Sequence, residues 1–319
     1  MRISIAIFTF CLASLYSCKN ADGKKMLDNS EPSAYSLMGD PLYPLGHSPA
    51  TYQKRDSLLR VAEMEYENDP LNLDNIIWYG RRLAYLDRYD DAIAIFTLGM
   101  ETHPDSPELF RHRGHRFITT RNFDNATEDF ITAADLAKDR SIEIEPDGLP
   151  NSINIPLSNL QFNIYYHLGL VYFLKGDFEL ARDAYVQCME YSDNPDLKVA
   201  TADWLYMTYL RLGLTENAQE LLAQIPDDLT LVENDGYYQR IKMYKGIVQP
   251  EELVSLDADM DDLLQLVTQG YGVAHHYKME GNTEAHADLL NKIIATGYWP
   301  AFGYIAAEAD LYALQTQAD

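Results

Sequence analysis

Metal binding and nucleophilic catalysis need particular side chains at particular spacings, and the chain has few groups that qualify. Asp257, Asp259 and Asp261 alternate as the oxygen ligands do at the start of a calcium-binding loop. Such a loop needs glycine at its sixth position for a sharp turn and glutamate at its twelfth for a bidentate grip. Here those positions hold Asp262 and Thr268, so the triplet reads as a solvated acidic turn. His112 and His115 stand three apart and His275 and His276 are adjacent, but no zinc-protease run and no cysteine pair accompanies them. Neither a metal nor a cofactor is expected. Cys188 falls where a packed helix wants a small residue, and reads as core. No nucleophile elbow, phosphate loop or dinucleotide fingerprint occurs. The expectation is a protein that is not an enzyme.

One polar cluster stands out. Arg111-His112-Arg113-Gly114-His115-Arg116 is a basic run in a chain of 49 acidic and 25 basic residues, with a net charge of −24. That balance excludes a nucleic-acid partner, which needs a broad basic surface. It also excludes wide contact with anionic lipid.

The elements that must position this cluster follow a beat. Gly80, Tyr89, Ala92 and Phe96 recur 34 residues later as Gly114, Phe123, Ala126 and Phe130. They recur again, 55 residues on, as Gly169, Phe178, Ala181 and Tyr185, one period plus an insertion of 21. The period and pattern resemble the tetratricopeptide repeat, a helix–turn–helix unit. The resemblance implies an all-α fold, a right-handed α-solenoid, whose concave groove holds a protein or peptide partner and does no chemistry. Repeats are expected at 73–106, 107–140 and 162–195, together forming an N-terminal array over 48–195. Ser48-Pro49 reads as the cap and first turn of a leading helix. Residues 196–319 keep a weaker pattern, with helices near Glu233–Lys245, Asp262–Met279, Thr283–Thr296 and Ala301–Leu314. The last of these is expected to cap the array.

In the repeat family, positions 2, 5, 9, 12 and 13 of each first helix face the groove. Counted from Leu73, Pro107 and Phe162, these include Arg81, Tyr85, Arg111, His115, Tyr166 and Phe173. The set loosely resembles repeats that clamp a peptide's terminal carboxylate, although the asparagines of such clamps are missing. The other reading is that the arginines balance neighbouring acids such as Glu108 and Asp105. Between the second and third repeats, 141–161 combines four isoleucines with the turn Pro146-Asp147-Gly148-Leu149-Pro150-Asn151. It is expected to be an ordered insertion that packs on the solenoid and folds over the same wall.

At the N-terminus, Arg2 precedes an apolar stretch that ends in Leu15-Tyr16-Ser17-Cys18. This resembles a bacterial lipoprotein signal, with Tyr16 a departure from the usual small residue. It implies cleavage of 1–17 and lipid on Cys18. Residues 18–47, with Gly39, Pro41, Pro44 and Gly46, read as a flexible tether. The expected protein is a scaffold or adaptor in the bacterial cell envelope. Its anchor would be in the outer membrane, facing the periplasm. The alternatives are an outer-membrane assembly lipoprotein, or a carbohydrate-binding one that uses some of the 23 tyrosines.

Overall fold

The structure, a computed structural model, describes residues 31–254 and 263–316. The signal stretch, Cys18 and the Asp257, Asp259, Asp261 triplet lie outside the described residues. A two-stranded antiparallel hairpin, β1 (Ala34–Tyr35) and β2 (Pro41–Leu42), comes first. Helices follow: α1 (Pro49–Asn68), α2 (Leu73–Ala84), α3 (Tyr89–Thr102), α4 (Pro107–Thr119), α5 (Phe123–Ala137), α6 (Leu160–Lys175) and α7 (Phe178–Glu190). After them come α8 (Pro195–Arg211), α9 (Thr215–Ala223), α10 (Asp235–Tyr244), α11 (Pro250–Leu253), α12 (Leu263–Met279), α13 (Thr283–Ala295) and α14 (Phe302–Thr316).

The beat has a physical cause at each of its positions. The first helices of the pairs open on caps. The side chains of Asn72, Ser106, Asn159 and Asn194 accept from the backbone N–H three residues on, satisfying a donor that the helix leaves free. The glycines let each pair close. An ideal Cβ on Gly80 would lie 2.4 Å from the Phe96 ring, on Gly169 2.7 Å from Tyr185, and on Gly114 3.0 Å from Phe130. Ala92, Ala126, Ala181 and Ala218 sit opposite, all fully buried. Between the helices of successive pairs the chain turns through positive φ at Asp87, Arg121, Gly176, Gly213, Gly246 and Gly281. Glycine is the natural choice there, so the two exceptions, Asp87 and Arg121, call for a reason.

Both exceptions carry long-range bonds. Asp87 accepts from the Leu45 backbone N–H at 2.8 Å and from the Tyr89 hydroxyl at 3.1 Å. Arg121 reaches Glu308 on α14. These bonds also alter the expected organisation. Within the stretch read as a tether, residues 32–47 are a docked hairpin segment. Ala34 and Leu42 are buried, Ser33 donates to the Asp87 carbonyl, and the Trp299 indole donates to the Tyr43 carbonyl at 2.7 Å. Gly39, at φ +86°, makes the tight turn of this segment, and Pro41 opens β2. At the other end, α14 packs on α12 and α13 and reaches α6. The C-terminal helices therefore fold back onto the inner wall of the array.

Candidate functional site

Arg81 and Tyr85 stand one turn apart at the end of α2. Arg111 and His115 stand one turn apart on α4, as do His112 and Arg116 beside them. Because α2 and α4 are equivalent helices of neighbouring repeats, these rows face one another. The structure brings Arg81, Tyr85, Arg111 and His115 together, with His112, Arg116 and Phe96, around a recess of about 140 Å³.

The electrostatics of the recess are unusual. Arg111 pairs with Glu145 at 3.0 Å, and Glu145 also faces His112 at 3.6 Å. The counter-charge of Arg111 thus comes from the insertion. Of the acids near in sequence, Glu108 pairs instead with Arg140 at 2.8 Å. Arg111 donates to His112 Nδ1 at 2.9 Å. A guanidinium only donates, so Nδ1 accepts and the ring proton lies on Nε2. Burial, then the surrounding arginines, push His112 well below its ordinary pKa. His115 is lowered in the same way, so both rings are neutral at physiological pH. Arg116 has no carboxylate within ion-pair distance among the described residues, and lies 5.9 Å from the Tyr89 ring centroid. Burial lowers its pKa to about 10, opposed in part by Tyr89 and Tyr85.

The insertion forms the rim. The Gly148 carbonyl accepts from Arg82 at 3.1 Å, and a Cβ on Gly148 would overlap the Tyr85 hydroxyl and crowd Arg81. Asn151 holds the loop: its amide donates to the Ile155 carbonyl and to Glu233, each at 2.6 Å, and its side-chain oxygen accepts from the Ile153 and Ile155 N–H groups. Pro146 lines a neighbouring cavity with Glu145. Asp147 feels the charge of Arg81, while burial pushes its carboxyl up. The insertion also leaves Ile142, Ile144, Leu149, Ile153 and Ile155 each at least half exposed.

Two expected groove residues are elsewhere. Tyr166 and Phe173 are buried. Tyr166 donates to, or accepts from, the Tyr237 hydroxyl at 3.0 Å, and Phe173 packs edge-on against Trp204 and Tyr271. The later helices cover the inner wall at the third repeat, so these side chains are core. Sequence reasoning missed His112 and Arg116 as site residues, although their one-turn spacing beside Arg111 and His115 is the signal that finds them. It also missed Glu145, whose place depends on the path of the insertion.

Other candidates for chemistry are spent on structure. Cys188 is fully buried, and burial pushes its thiol up to about 12, far from a reactive thiolate. Tyr89, Tyr166, Tyr185, Tyr206, Tyr238 and Tyr271 are buried, which withdraws them from sugar stacking. Among the described residues no three His, Cys, Asp or Glu side chains gather as a metal site would need. Nor is any described helix long and apolar enough to cross a membrane.

Residues 162–195 match the family profile of the tetratricopeptide repeat. The chain is an all-α, tetratricopeptide-type solenoid carrying that repeat. It is 25% identical over 166 residues to the BBSome complex member BBS4 of Bos taurus, which covers 52% of this chain and 27% of that protein. The chain thus spans about a quarter of the length of the curated relative it matches. Among solved structures, YrrB, described as a TPR protein with an unusual peptide-binding site, is 13% identical, with a TM-score of 0.43 over 82% of this chain and all of that one. A structure of MamA protein is 16% identical, with a TM-score of 0.42 over 63% of this chain and 89% of that one.

Proposed function

We propose that this protein is a lipid-anchored scaffold of the bacterial cell envelope that binds a protein partner across α2, α4 and the insertion. The observation that carries the reading is the recess of Arg81, Arg111 and Arg116 beside a ridge of exposed aliphatic side chains. In a chain of net charge −24, an acidic group is repelled elsewhere and drawn to that recess. The ridge supplies apolar area of the kind interfaces bury. The tetratricopeptide repeat supplies a stacked surface for such contact, and the one described cysteine is buried. The sequence Leu15-Tyr16-Ser17-Cys18 supports the anchor, and the outer membrane is the proposed site.

The test is photo-cross-linking in cells from Leu149 and Ile153, with Leu98 on α3 as the control position. A discrete partner captured from the insertion, absent from the control and lost in Arg81→Ala, is the expected result. Equal capture from Leu98, or capture indifferent to Arg81→Ala, moves the binding face elsewhere. Cys18→Ala is expected to abolish membrane retention, because the fatty chains are the proposed anchor. If the variant is processed and still retained by washed membranes, the anchor is something else.

A further inference from the structure

The recess holds more positive charge than its own acids cancel. Three guanidiniums line it, and among the described residues only Arg111 has a carboxylate at ion-pair distance, Glu145 at 3.0 Å. Three charges against one leave a surplus of two. Asp147 feels the charge of Arg81 but forms no ion pair with it among the described residues, so it offsets that charge only in part. Arg81 lies over the Trp78 ring at 4.4 Å and Arg116 near Tyr89, so aromatic faces hold both without neutralising them. The Arg111 Nε is buried with no hydrogen-bond partner, a donor whose desolvation is uncompensated.

The space bounds the size of what completes this set. At about 140 Å³ the recess has the volume of roughly four to five waters, enough for one compact group and too little for a length of peptide. The chemistry bounds the charge. A carboxylate would cancel one of the two surplus charges, whereas a phosphate monoester carries about −1.5 to −2 at neutral pH and presents three acceptor oxygens. Guanidinium forks match those oxygens. Neutral His112 and His115 add polar groups to the wall without adding charge.

We propose that the recess binds one phosphate-type dianion, held by Arg81, Arg111 and Arg116. The dianion is either free phosphate or a phosphoryl group on a partner's side chain. The second source rests on the reading of this face as the partner surface.

The experiment is calorimetric titration of the full chain in detergent with inorganic phosphate, sulfate, acetate, and a phosphoserine peptide with its unphosphorylated form. Phosphate and sulfate are expected to bind saturably at one site, and acetate at least about tenfold more weakly, as the loss of a charge-assisted contact implies. Arg116→Gln is expected to weaken phosphate binding about tenfold or more. In phosphate-free buffer it should leave the melting temperature unchanged or raised, since it removes an uncompensated buried charge. A purely structural arginine would lower it. Should Arg116→Gln fail to fold, Arg81→Gln, at a partly buried position with no ion pair among the described residues, carries the same test. A phosphopeptide binding much more tightly than free phosphate makes a partner side chain the source. Equal affinity makes it free phosphate. No saturable phosphate binding, acetate binding as tight, or full affinity in both variants overturns the proposal. If phosphate fails to bind while cross-linking from Leu149 stays specific, only this inference falls. The reverse pattern removes the partner surface and leaves the phosphate site.

Discussion

Arg121 and Glu308 lie 187 residues apart in the chain and form an ion pair at 2.7 Å with both side chains almost wholly buried. The pair sits at a junction. Arg121 Nη1 donates to the Thr119 carbonyl and Nη2 to the Trp299 carbonyl, and Glu308 accepts the Leu37 N–H. One carboxylate thus ties the second repeat, the N-terminal hairpin and α14 together. This accounts for a non-glycine residue at the left-handed turn of Arg121, where backbone strain is offset by the bonds the side chain makes.

Glu308→Ala should therefore be among the most damaging single changes. Removing one partner of a buried pair strands the other, which typically costs about 3–5 kcal/mol. Urea denaturation is the measurement. Limited proteolysis should show cleavage in the hairpin segment before the repeats are attacked. A loss below about 1 kcal/mol, in the range of an exposed pair, would mean that the junction is open to solvent.

The interhelical glycines should differ in a defined order. Gly80→Ala drives a Cβ to 2.4 Å from Phe96, and Gly169→Ala to 2.7 Å from Tyr185, both rings being fully buried. Gly114→Ala meets Phe130 at 3.0 Å and Asp129 Cβ at 3.2 Å, a crowding that a small shift relieves. Overpacking of this kind costs about 1–3 kcal/mol, so Gly80→Ala and Gly169→Ala should fall toward the upper end and Gly114→Ala toward the lower. Chemical denaturation of the three variants gives the order directly.

What could be read from the sequence and what could not divides along one physical line. Gly80 with Phe96, Ala126 with Phe130 and Ala181 with Tyr185 are local relationships, repeated at a fixed interval, and periodicity exposes them. The rows Arg81–Tyr85 and Arg111–His115 were legible for the same reason, since equivalent helices present equivalent faces. The burial of Tyr166 and Phe173 was not, because it depends on where α10, α12 and α14 travel after the beat fades. A repeat fixes the contact between neighbours and is silent about helices that fold back. The pairing of Arg111 with Glu145 was hidden likewise: the acid sits in an insertion whose path follows from the bridge between Ile144 and Asn159 and from no pattern. The hairpin at 34–42 is not legible in the sequence because glycine and proline mark tight turns as well as loose chain.

Acid should weaken the fold before most carboxylates titrate. Burial lowers the pKa of His112, His115 and His275 well below the ordinary value, and that of His167 to about 3. The unfolded chain takes up protons near pH 6.5 while the folded one does not. Stability is therefore fully present above about pH 6.5 and is lost as pH falls toward the folded value, by about 1.4 kcal/mol per pH unit for each fully excluded proton. Asp203, raised to about 6 by burial against the pull of Arg240, acts in the opposite sense over part of the window and is outnumbered. His167→Phe keeps the stack on Phe130 and deletes one such group. Its urea midpoint should fall less steeply than the parent's between about pH 6.5 and 5. Parallel slopes would mean that His167 is protonated in the folded state.

Gly148→Ala should separate the rim of the recess from the rest of the fold. The added Cβ would stand 1.4 Å from the Tyr85 hydroxyl and 2.9 Å from Arg81 Nη2, an overlap that no small side-chain shift relieves. The loop must lift, and in doing so it gives up the bond from Arg82 to the Gly148 carbonyl. Apart from Arg82, the repeats are held by contacts that do not involve Gly148, namely the interhelical glycines against their rings and the helix caps. The urea midpoint should thus move little, by about 1 kcal/mol or less, the scale of one hydrogen bond. Hydrogen exchange should rise across 145–155, and the Tyr85 and Arg81 side chains should become more accessible. A large loss of stability with uniform exchange would instead make the insertion an integral part of the core. Unchanged exchange would mean that the loop has a second seating compatible with a side chain at 148.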